Sequence, residues 1–167
     1  AKSKRIKMEG RKTKMNIHFI KSGEKREIIA QLNKQFGIED LPYLLIESGK
    51  EKIRAFSGTM SKEEILELNK MANIEAVGIY LIKKEHDLRL SFDATQILKD
   101  QIKKKVVEIS KEQYELWIRG YDLPIATENG AVVIKFQDSF IGCGRSNGER
   151  IINHVPKERR LKIPIRD

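Results

Sequence analysis

The side chains with the greatest potential for chemistry in this sequence are one cysteine and three histidines. Cys143 lies in a short apolar stretch without an acid–base partner beside it, so we interpret it as a small buried side chain. His18, His86 and His154 are scattered along the chain and lack the spacing of metal ligands. We therefore predict no catalytic residue, no metal site and no cofactor.

Three glycines lie close together in the string Gly142-Cys-Gly144-Arg-Ser-Asn-Gly148. A nucleotide-binding loop would need a helix directly after such a string, because the helix N-terminus holds the phosphates. The flanking residues here favour two short strands instead. We interpret the glycines as residues of tight turns, where glycine tolerates a positive φ.

Basic residues are concentrated at the two ends of the chain, whose net charge is +9. Residues 1–14 hold seven Lys or Arg and one Glu, and residues 99–167 hold 14 basic and 10 acidic residues. Such an excess is typical of proteins that bind a polyanion, because each neutralised phosphate releases counterions. A solubilising surface with a flexible basic tail explains the N-terminal excess equally well.

The apolar residues never form the run of about 18 that a membrane span requires. No apolar stretch follows the basic N-terminus as it would in a signal peptide. The single cysteine excludes an internal disulfide framework. We therefore expect a cytoplasmic protein that does not enter a membrane.

Residues 15–98 combine helical and strand patterns in the order β-α-β-β-α-β, which predicts a mixed α/β domain. Ser22 and Ser61 are suitable caps for two helices, and Gly37 ends the first. Ser48-Gly49-Lys50 predicts the turn of a hairpin. The expected strands are 16–20, 44–46, 52–56, 76–82 and 88–92, and the expected helices are 24–36, 62–72 and 93–98.

A Lys-rich polar passage at residues 99–105 is the predicted boundary to a C-terminal domain of residues 99–167, and residues 1–14 are predicted to form a flexible arm. Ser110 is a suitable cap for a helix that ends at Gly120. Short strands with frequent turns predict a small β-barrel, and hence an α+β protein. The expected strands are 106–109, 131–136, 140–144 and 150–153, and the expected helix is 111–118.

Three segments of this C-terminal part carry a family resemblance: Gly130 to Phe136, Ile141 to Arg145, and Ile152 to Lys157. They resemble the PUA domain (named for pseudouridine synthase and archaeosine transglycosylase), in the variant carried by RNA cytosine-5 methyltransferases of the Sun/Fmu type. The resemblance covers about the last 60 residues. Cys143 and Val155 stand where that variant commonly has aromatic residues, and Arg145 replaces a lysine. The large S-adenosylmethionine-binding domain of those enzymes is absent from this sequence.

The resemblance implies a non-catalytic RNA-binding protein that acts on rRNA or tRNA in RNA modification, ribosome biogenesis or translation. An α/β domain before a PUA domain is similar to the layout of small archaeal proteins of that kind. Basic side chains would contact phosphates, and asparagine and histidine side chains would contact base edges or 2′-hydroxyls. Tyr114 and Trp117 are expected in the core. The candidate RNA-binding residues are Arg119, Lys135, Arg145, Asn147, Arg150, Asn153, His154, Lys157, Arg159, Arg160 and Lys162.

Two alternatives remain open at the level of sequence. An accessory subunit would dock on a methyltransferase or a ribosomal particle through its α/β domain, and would need an exposed apolar patch there. A small RNA-modifying enzyme would need a pocket with convergent polar groups, which the sequence does not indicate.

Overall fold

The structure is a computed structural model, and it describes residues 17–49, 51–71 and 78–161. The predicted arm at residues 1–14 and the candidate Lys162 lie outside the described residues.

The N-terminal part is built on a five-stranded antiparallel sheet whose strands follow one another in chain order. The elements agree with the predicted order, and the hairpin around Gly49 forms as expected. The strands are β1 (Ile17–Phe19), β2 (Tyr43–Ser48), β3 (Lys52–Ser57), β4 (Ile79–Lys84) and β5 (Leu88–Leu90), and the helices are α1 (Ser22–Phe36), α2 (Lys62–Met71) and α3 (Phe92–Ile97).

Both faces of this sheet bury apolar side chains, because successive residues of a strand point to opposite faces. Leu45 and Ala55 pair across β2 and β3 and belong to the same core as Leu32 of α1. Their neighbours Ile46 and Phe56 pack with Ile65 of α2 in a second, smaller cluster. The sheet is therefore a central layer between two helices.

The helix boundaries follow from local capping. Gly37 ends α1, and its backbone N–H donates to the carbonyl of Asn33 at 2.9 Å. The N–H of Glu64 donates to the Ser61 hydroxyl at 3.1 Å, and the Glu64 carboxylate accepts from the N–H of Ser61, as in a capping box. Ser22 does not act as a cap, because Lys21 has the extended backbone of a capping residue and Ser22 is already helical.

The C-terminal part is a second, four-stranded sheet, curled into half a barrel. An irregularity in the pairing of β7 (Gly130–Phe136) with β8 (Ser139–Ser146) lies between Val133 and Lys135, and a bulge of this kind increases the local twist. The sheet order is β6 (Val106–Glu108), β7 (Gly130–Phe136), β8 (Ser139–Ser146) and β9 (Ile151–Ile152), with α4 (Lys111–Trp117) after β6 and a 3₁₀ turn at Lys157–Arg159.

The first pair of this sheet is parallel, whereas the other pairs are antiparallel. A parallel pair needs a long connection between its strands, and here α4 and the loop after it supply that connection. Ser110 caps α4 in a capping box with Gln113, as its sequence predicts. The end of α4 packs on the second sheet, since Trp117 lies in one buried cluster with Val132, Ile134 and Ile141.

Part of the second sheet shares an apolar core with the first, and the rest packs in a separate cluster around Trp117. Ala131, Val133 and Cys143 of the second sheet belong to the same buried cluster as Leu88 and Leu90 of the first. The polar passage between them is also fixed to α1, since the N–H of Lys103 donates to the carbonyl of Phe36 at 2.8 Å. Apolar packing and backbone hydrogen bonds therefore join the two parts.

Candidate nucleic-acid interface

The glycines of β8 shape the frame on which the candidate residues sit. Trp117 is fully buried, and its indole N–H donates to the carbonyl of Ile141 at 2.7 Å. A Cβ atom on Gly144 would lie 2.8 Å from the Trp117 ring and 2.6 Å from Ile151. Gly142 and Gly144 lie inside strand β8 and not in the tight turns that the sequence predicts, although Gly142 has a positive φ of +105°. Gly144 is therefore needed for close packing, which the sequence pattern does not reveal. The positive φ of Gly142 agrees with the prediction from the sequence.

The side chain of Asn153 is used entirely within the protein. Its amide nitrogen donates to the carbonyls of Trp117 and Tyr121, both at 2.8 Å, and its oxygen accepts from the N–H of Val155 at 2.7 Å. The N–H of Asn153 donates to the Asp122 carboxylate at 2.8 Å. The residue fastens the C-terminal segment to the end of α4 and leaves no amide edge for a base.

Two candidate arginines lie in the same region. Arg119 donates to the carbonyl of Glu115 at 2.6 Å, and Arg160 donates to the carbonyl of Val155 at 2.8 Å. The Arg160 side chain also packs on Gly120, where a Cβ atom would lie 2.6 Å from its Nε. Both guanidinium groups are thereby held in fixed positions beside the α4 terminus.

An exposed aromatic residue lies between these arginines in the sequence. Tyr121 has 58% of its surface exposed, and its neighbour Asp122 has a carboxylate oxygen 3.9 Å from Nη1 of Arg150. The Arg150 side chain is itself 59% exposed. An exposed aromatic ring is a surface on which an RNA base can stack. Tyr121 is not among the residues predicted from the sequence, although its place directly after the helix-ending Gly120 is a signal for an exposed turn.

The 3₁₀ turn adds further cations to this region. Lys157 is exposed, and Arg159 donates to the Asp93 carboxylate at 2.8 Å while lying 5.7 Å from the centroid of the Phe92 ring. The C-terminal basic edge is defined here as Arg119, Tyr121, Arg150, Lys157, Arg159 and Arg160.

Two other candidates lie elsewhere on the second sheet. Lys135 faces Phe140 at the hairpin end of β7 and β8, with its Nζ 5.8 Å from the ring centroid. Asn147 accepts hydrogen bonds from the N–H groups of Glu149 and Arg150 at 3.0 and 2.9 Å. That asparagine therefore closes the turn before β9, which is a common role of the residue type.

Arg145 joins the two sheets through carboxylates. It donates to Glu85 at 2.8 Å and to Asp87 at 2.5 Å, and Asp87 also accepts from the N–H of Ala131 at 2.9 Å. Partial burial opposes ionisation, yet hydrogen bonds and the charges of Arg89 and Arg145 outweigh it and lower the pKa of Glu85. Burial also opposes the ionisation of Asp87. Its hydrogen bonds with the N–H of Ala131 and with Arg145, together with the charge of Arg145, nevertheless lower the pKa of its carboxyl. The charge of Arg145 is thus already balanced inside the protein.

His154 is half-buried close to this ion-pair cluster. Burial and then the positive charge of Arg89 lower the pKa of its imidazole from the ordinary value of 6.5. The ring is therefore neutral at pH 7 and contributes no charge toward a phosphate.

The remaining side chains that could take part in chemistry or stacking pack inside the protein. Cys143 is buried, and burial raises the pKa of its thiol to about 12, so no thiolate nucleophile exists at neutral pH. Tyr114 stacks on Phe136 with ring centroids 4.2 Å apart, so it packs inside the protein as expected.

Among the described residues, no three His, Cys, Asp or Glu side chains are grouped as a metal ion would require. Across the same ranges, every helix is too short or too polar to cross a bilayer.

Comparison with known proteins assigns the C-terminal part. Residues 104–161 match the family described as "Methyltransferase RsmF PUA domain", which confirms the resemblance found in the sequence. The fold is similar to a solved structure described as a "Conserved PUA Domain Protein from Thermoplasma acidophilum", with 16% identity and a TM-score of 0.54. That similarity covers 83% of this chain and 93% of the other, so it extends into the N-terminal sheet. No curated protein matches this sequence.

Proposed function

We propose that this protein, whose residues 104–161 form a PUA domain of the RsmF methyltransferase type, is a non-catalytic RNA-binding factor. PUA domains bind RNA in general. The proposed substrate is rRNA or tRNA, bound in the cytoplasm during RNA modification, ribosome biogenesis or translation. The observation that carries the proposal is the exposed ring of Tyr121, which directly precedes Asp122, the residue whose carboxylate lies 3.9 Å from the exposed Arg150.

The chemistry of this edge suits a single-stranded or looped RNA. Arg150 and Lys157 are exposed and can contact phosphates, which sets the affinity and the position of the strand. Tyr121 offers a face for a base, and such stacking tolerates any base. Asn153 and Asp122 fix the backbone beneath these side chains, so the surface is rigid before RNA arrives.

Filter binding of unfractionated tRNA and rRNA tests the proposal. We expect affinity to fall steeply as salt rises from about 50 to about 300 mM, because bound phosphates release counterions. Binding of neither RNA at the lowest salt would contradict the proposed function.

An accessory role in a methyltransferase assembly is a second candidate, supported by a different surface. A groove of about 410 Å³ on the N-terminal sheet is lined mainly by apolar side chains, and it includes Ile79 and Ile97, which are 45% and 41% exposed. The family of the PUA domain links it to methyltransferases, so an RNA methyltransferase is the partner that this candidate names. The lining residues are Pro42, Tyr43, Ala55, Phe56, Ser57, Gly58, Ile79, Leu81 and Ile97.

Copurification after nuclease treatment distinguishes this role from RNA binding. If the groove holds a methyltransferase, the Ile97→Asp variant loses that partner and the Leu66→Asp variant keeps it. Leu66 is a matched control, because it is 44% exposed and lies on α2 outside the groove. Retention of the methyltransferase by both variants, or its absence from the wild-type preparation, would remove the candidate.

A further inference from the structure

Three of the candidate RNA-binding residues, Asn147, Asn153 and His154, have polar side chains without a full charge. The Asn153 amide donates to two carbonyls and accepts from one N–H, so its hydrogen bonds lie within the protein. The Asn147 oxygen accepts from two backbone N–H groups of its own turn. The His154 imidazole, in contrast, forms no hydrogen bond with any residue of the described ranges. Of the three, His154 is therefore the residue whose polar atoms are available to a ligand.

The backbone around His154 is fixed and turns the ring outward. Side chains from Ile151 to Val155 alternate between buried and partly exposed, as they do in an extended segment, and His154 is one of the partly exposed residues. The N–H of Asn153 donates to the Asp122 carboxylate at 2.8 Å, and the N–H of Val155 donates to the Asn153 side chain at 2.7 Å. Because the backbone is held on both sides of the ring, a new hydrogen bond to it costs little additional ordering.

The Asp122 carboxylate connects His154 with the C-terminal basic edge. One of its oxygens accepts from the N–H of Asn153, the residue before His154, and the other lies 3.9 Å from Nη1 of Arg150. The exposed Tyr121 directly precedes Asp122 in the chain. His154 therefore borders the surface that is proposed to hold the RNA strand.

The His154 ring is uncharged at neutral pH, because burial and then the positive charge of Arg89 lower its pKa. The charged groups near it are paired with one another, Arg89 with Glu85 at 2.9 Å and Arg145 with Glu85 and Asp87. A neutral imidazole has one N–H that donates and one ring nitrogen that accepts. A hydroxyl group, which both donates and accepts, matches this pair of atoms, whereas an ionised phosphate oxygen can only accept.

We propose that His154 hydrogen-bonds a ribose 2′-hydroxyl and thereby makes the protein prefer RNA to DNA of the same sequence. The inference rests on the proposed function, since the ribose belongs to the strand that the C-terminal basic edge holds. Phosphate contacts of that edge are common to both nucleic acids and do not distinguish them. The 2′-hydroxyl is the group by which a protein tells RNA from DNA at a given site.

The variant His154→Phe tests this role in the full chain, because phenylalanine keeps a planar ring but can neither donate nor accept. Fluorescence anisotropy compares a labelled single-stranded RNA of mixed sequence with the matching DNA, in which deoxyuridine replaces thymidine. The variant should bind the RNA about five- to tenfold more weakly than wild type and the DNA within about twofold of it. The control His18→Phe alters an exposed histidine on β1 that is paired with Glu24 at 3.0 Å, and it should leave both affinities unchanged.

A second variant and a second ligand separate recognition from a structural role of the ring. His154→Gln supplies a donor and an acceptor, so it should retain more of the preference for RNA than His154→Phe does. Single 2′-deoxy nucleotides introduced one at a time into the RNA probe the wild type itself, so this measurement is independent of how the variants fold. At one position the substitution should weaken binding by the wild type, with no further loss in His154→Phe.

Several results would overturn the inference while leaving the proposed function intact. Equal losses for RNA and DNA in His154→Phe would assign the ring to a base or to the fold. Unchanged RNA affinity in that variant, equal affinity of the wild type for RNA and DNA, or wild-type binding that no 2′-deoxy substitution weakens would contradict the contact directly. Failure of the wild type to bind any RNA would instead refute the proposed function.

Discussion

Single polar residues in the C-terminal part either stabilise the fold from inside or face solvent, where they can bind a ligand. Asn153 satisfies two carbonyls and one N–H inside the protein, whereas Tyr121 presents its ring to solvent. The two residues touch through the Tyr121 carbonyl, so the buried amide holds the exposed ring in position. Replacing one should change stability, and replacing the other should change binding.

Removal of the Asn153 side chain should destabilise the fold. Asn153→Ala leaves the carbonyls of Trp117 and Tyr121 and the N–H of Val155 without their partner, at a cost of about 2–4 kcal/mol in the free energy of unfolding. Urea denaturation measures this, with the exposed Gln96→Ala as a control that should stay within about 0.5 kcal/mol of wild type. A loss below about 1 kcal/mol for Asn153→Ala would contradict the role assigned to this amide.

Removal of the Tyr121 ring should weaken RNA binding without affecting the fold. Stacking of one base contributes about 1–3 kcal/mol, so Tyr121→Ala should bind tRNA roughly tenfold more weakly. Tyr121→Phe keeps the ring and should retain most of the affinity. Fluorescence anisotropy with labelled tRNA measures both variants, and equal affinity of the alanine variant and the wild type would exclude stacking at this position.

At the scale of elements, the ion pairs of Arg145 connect the β4–β5 turn with β7 and β8. Glu85 and Asp87 lie in that turn, Ala131 is the second residue of β7, and Arg145 belongs to β8. The side chains are about three-quarters buried, so solvent screens them less than surface pairs. They therefore add a polar connection to the apolar core shared by the two sheets.

This connection should make stability sensitive to acid. The lowered pKa values of Glu85 and Asp87 mean that the folded protein binds fewer protons than the unfolded chain, so falling pH favours unfolding. The loss should begin as pH falls below about 4.5, the ordinary value for glutamate, and continue through the lowered pKa values. Arg145→Gln should cost about 2 kcal/mol at pH 7 and show a smaller acid-dependent loss than wild type. Thermal melts from pH 7 to pH 3 measure both, and parallel profiles for the two proteins would contradict the prediction.

The sequence predicts the secondary-structure elements better than it predicts the candidate site. The capping boxes at Ser61 and Ser110, the helix end at Gly37 and the hairpin around Gly49 are local signals, and the structure contains all of them. The pairing of β6 with β7 joins residues distant in sequence, and no local pattern indicates it. Likewise, Arg145 was predicted to contact RNA because its type suits phosphate, but its partners lie about 60 residues away in the chain.

At the scale of the whole molecule, the C-terminal segment lies at the meeting point of two surfaces. One side of it is the basic edge around the end of α4, and the other is a groove of about 560 Å³ between the N-terminal sheet and the 3₁₀ turn. The apolar core that the two sheets share joins the C-terminal basic edge to the N-terminal sheet. If the basic edge binds RNA as proposed, affinity should depend on where positive charge lies, as well as on its total amount.

Paired charge reversals compared at equal net charge test this claim most directly. Arg150→Glu with Lys157→Glu alters the basic edge, and Lys99→Glu with Lys103→Glu alters exposed lysines of the passage 99–105. At about 100 mM salt the first pair should weaken tRNA binding at least about tenfold, and the second less than about threefold. Equal losses for the two pairs, or no loss for the first, would contradict an RNA-binding surface at the C-terminal basic edge.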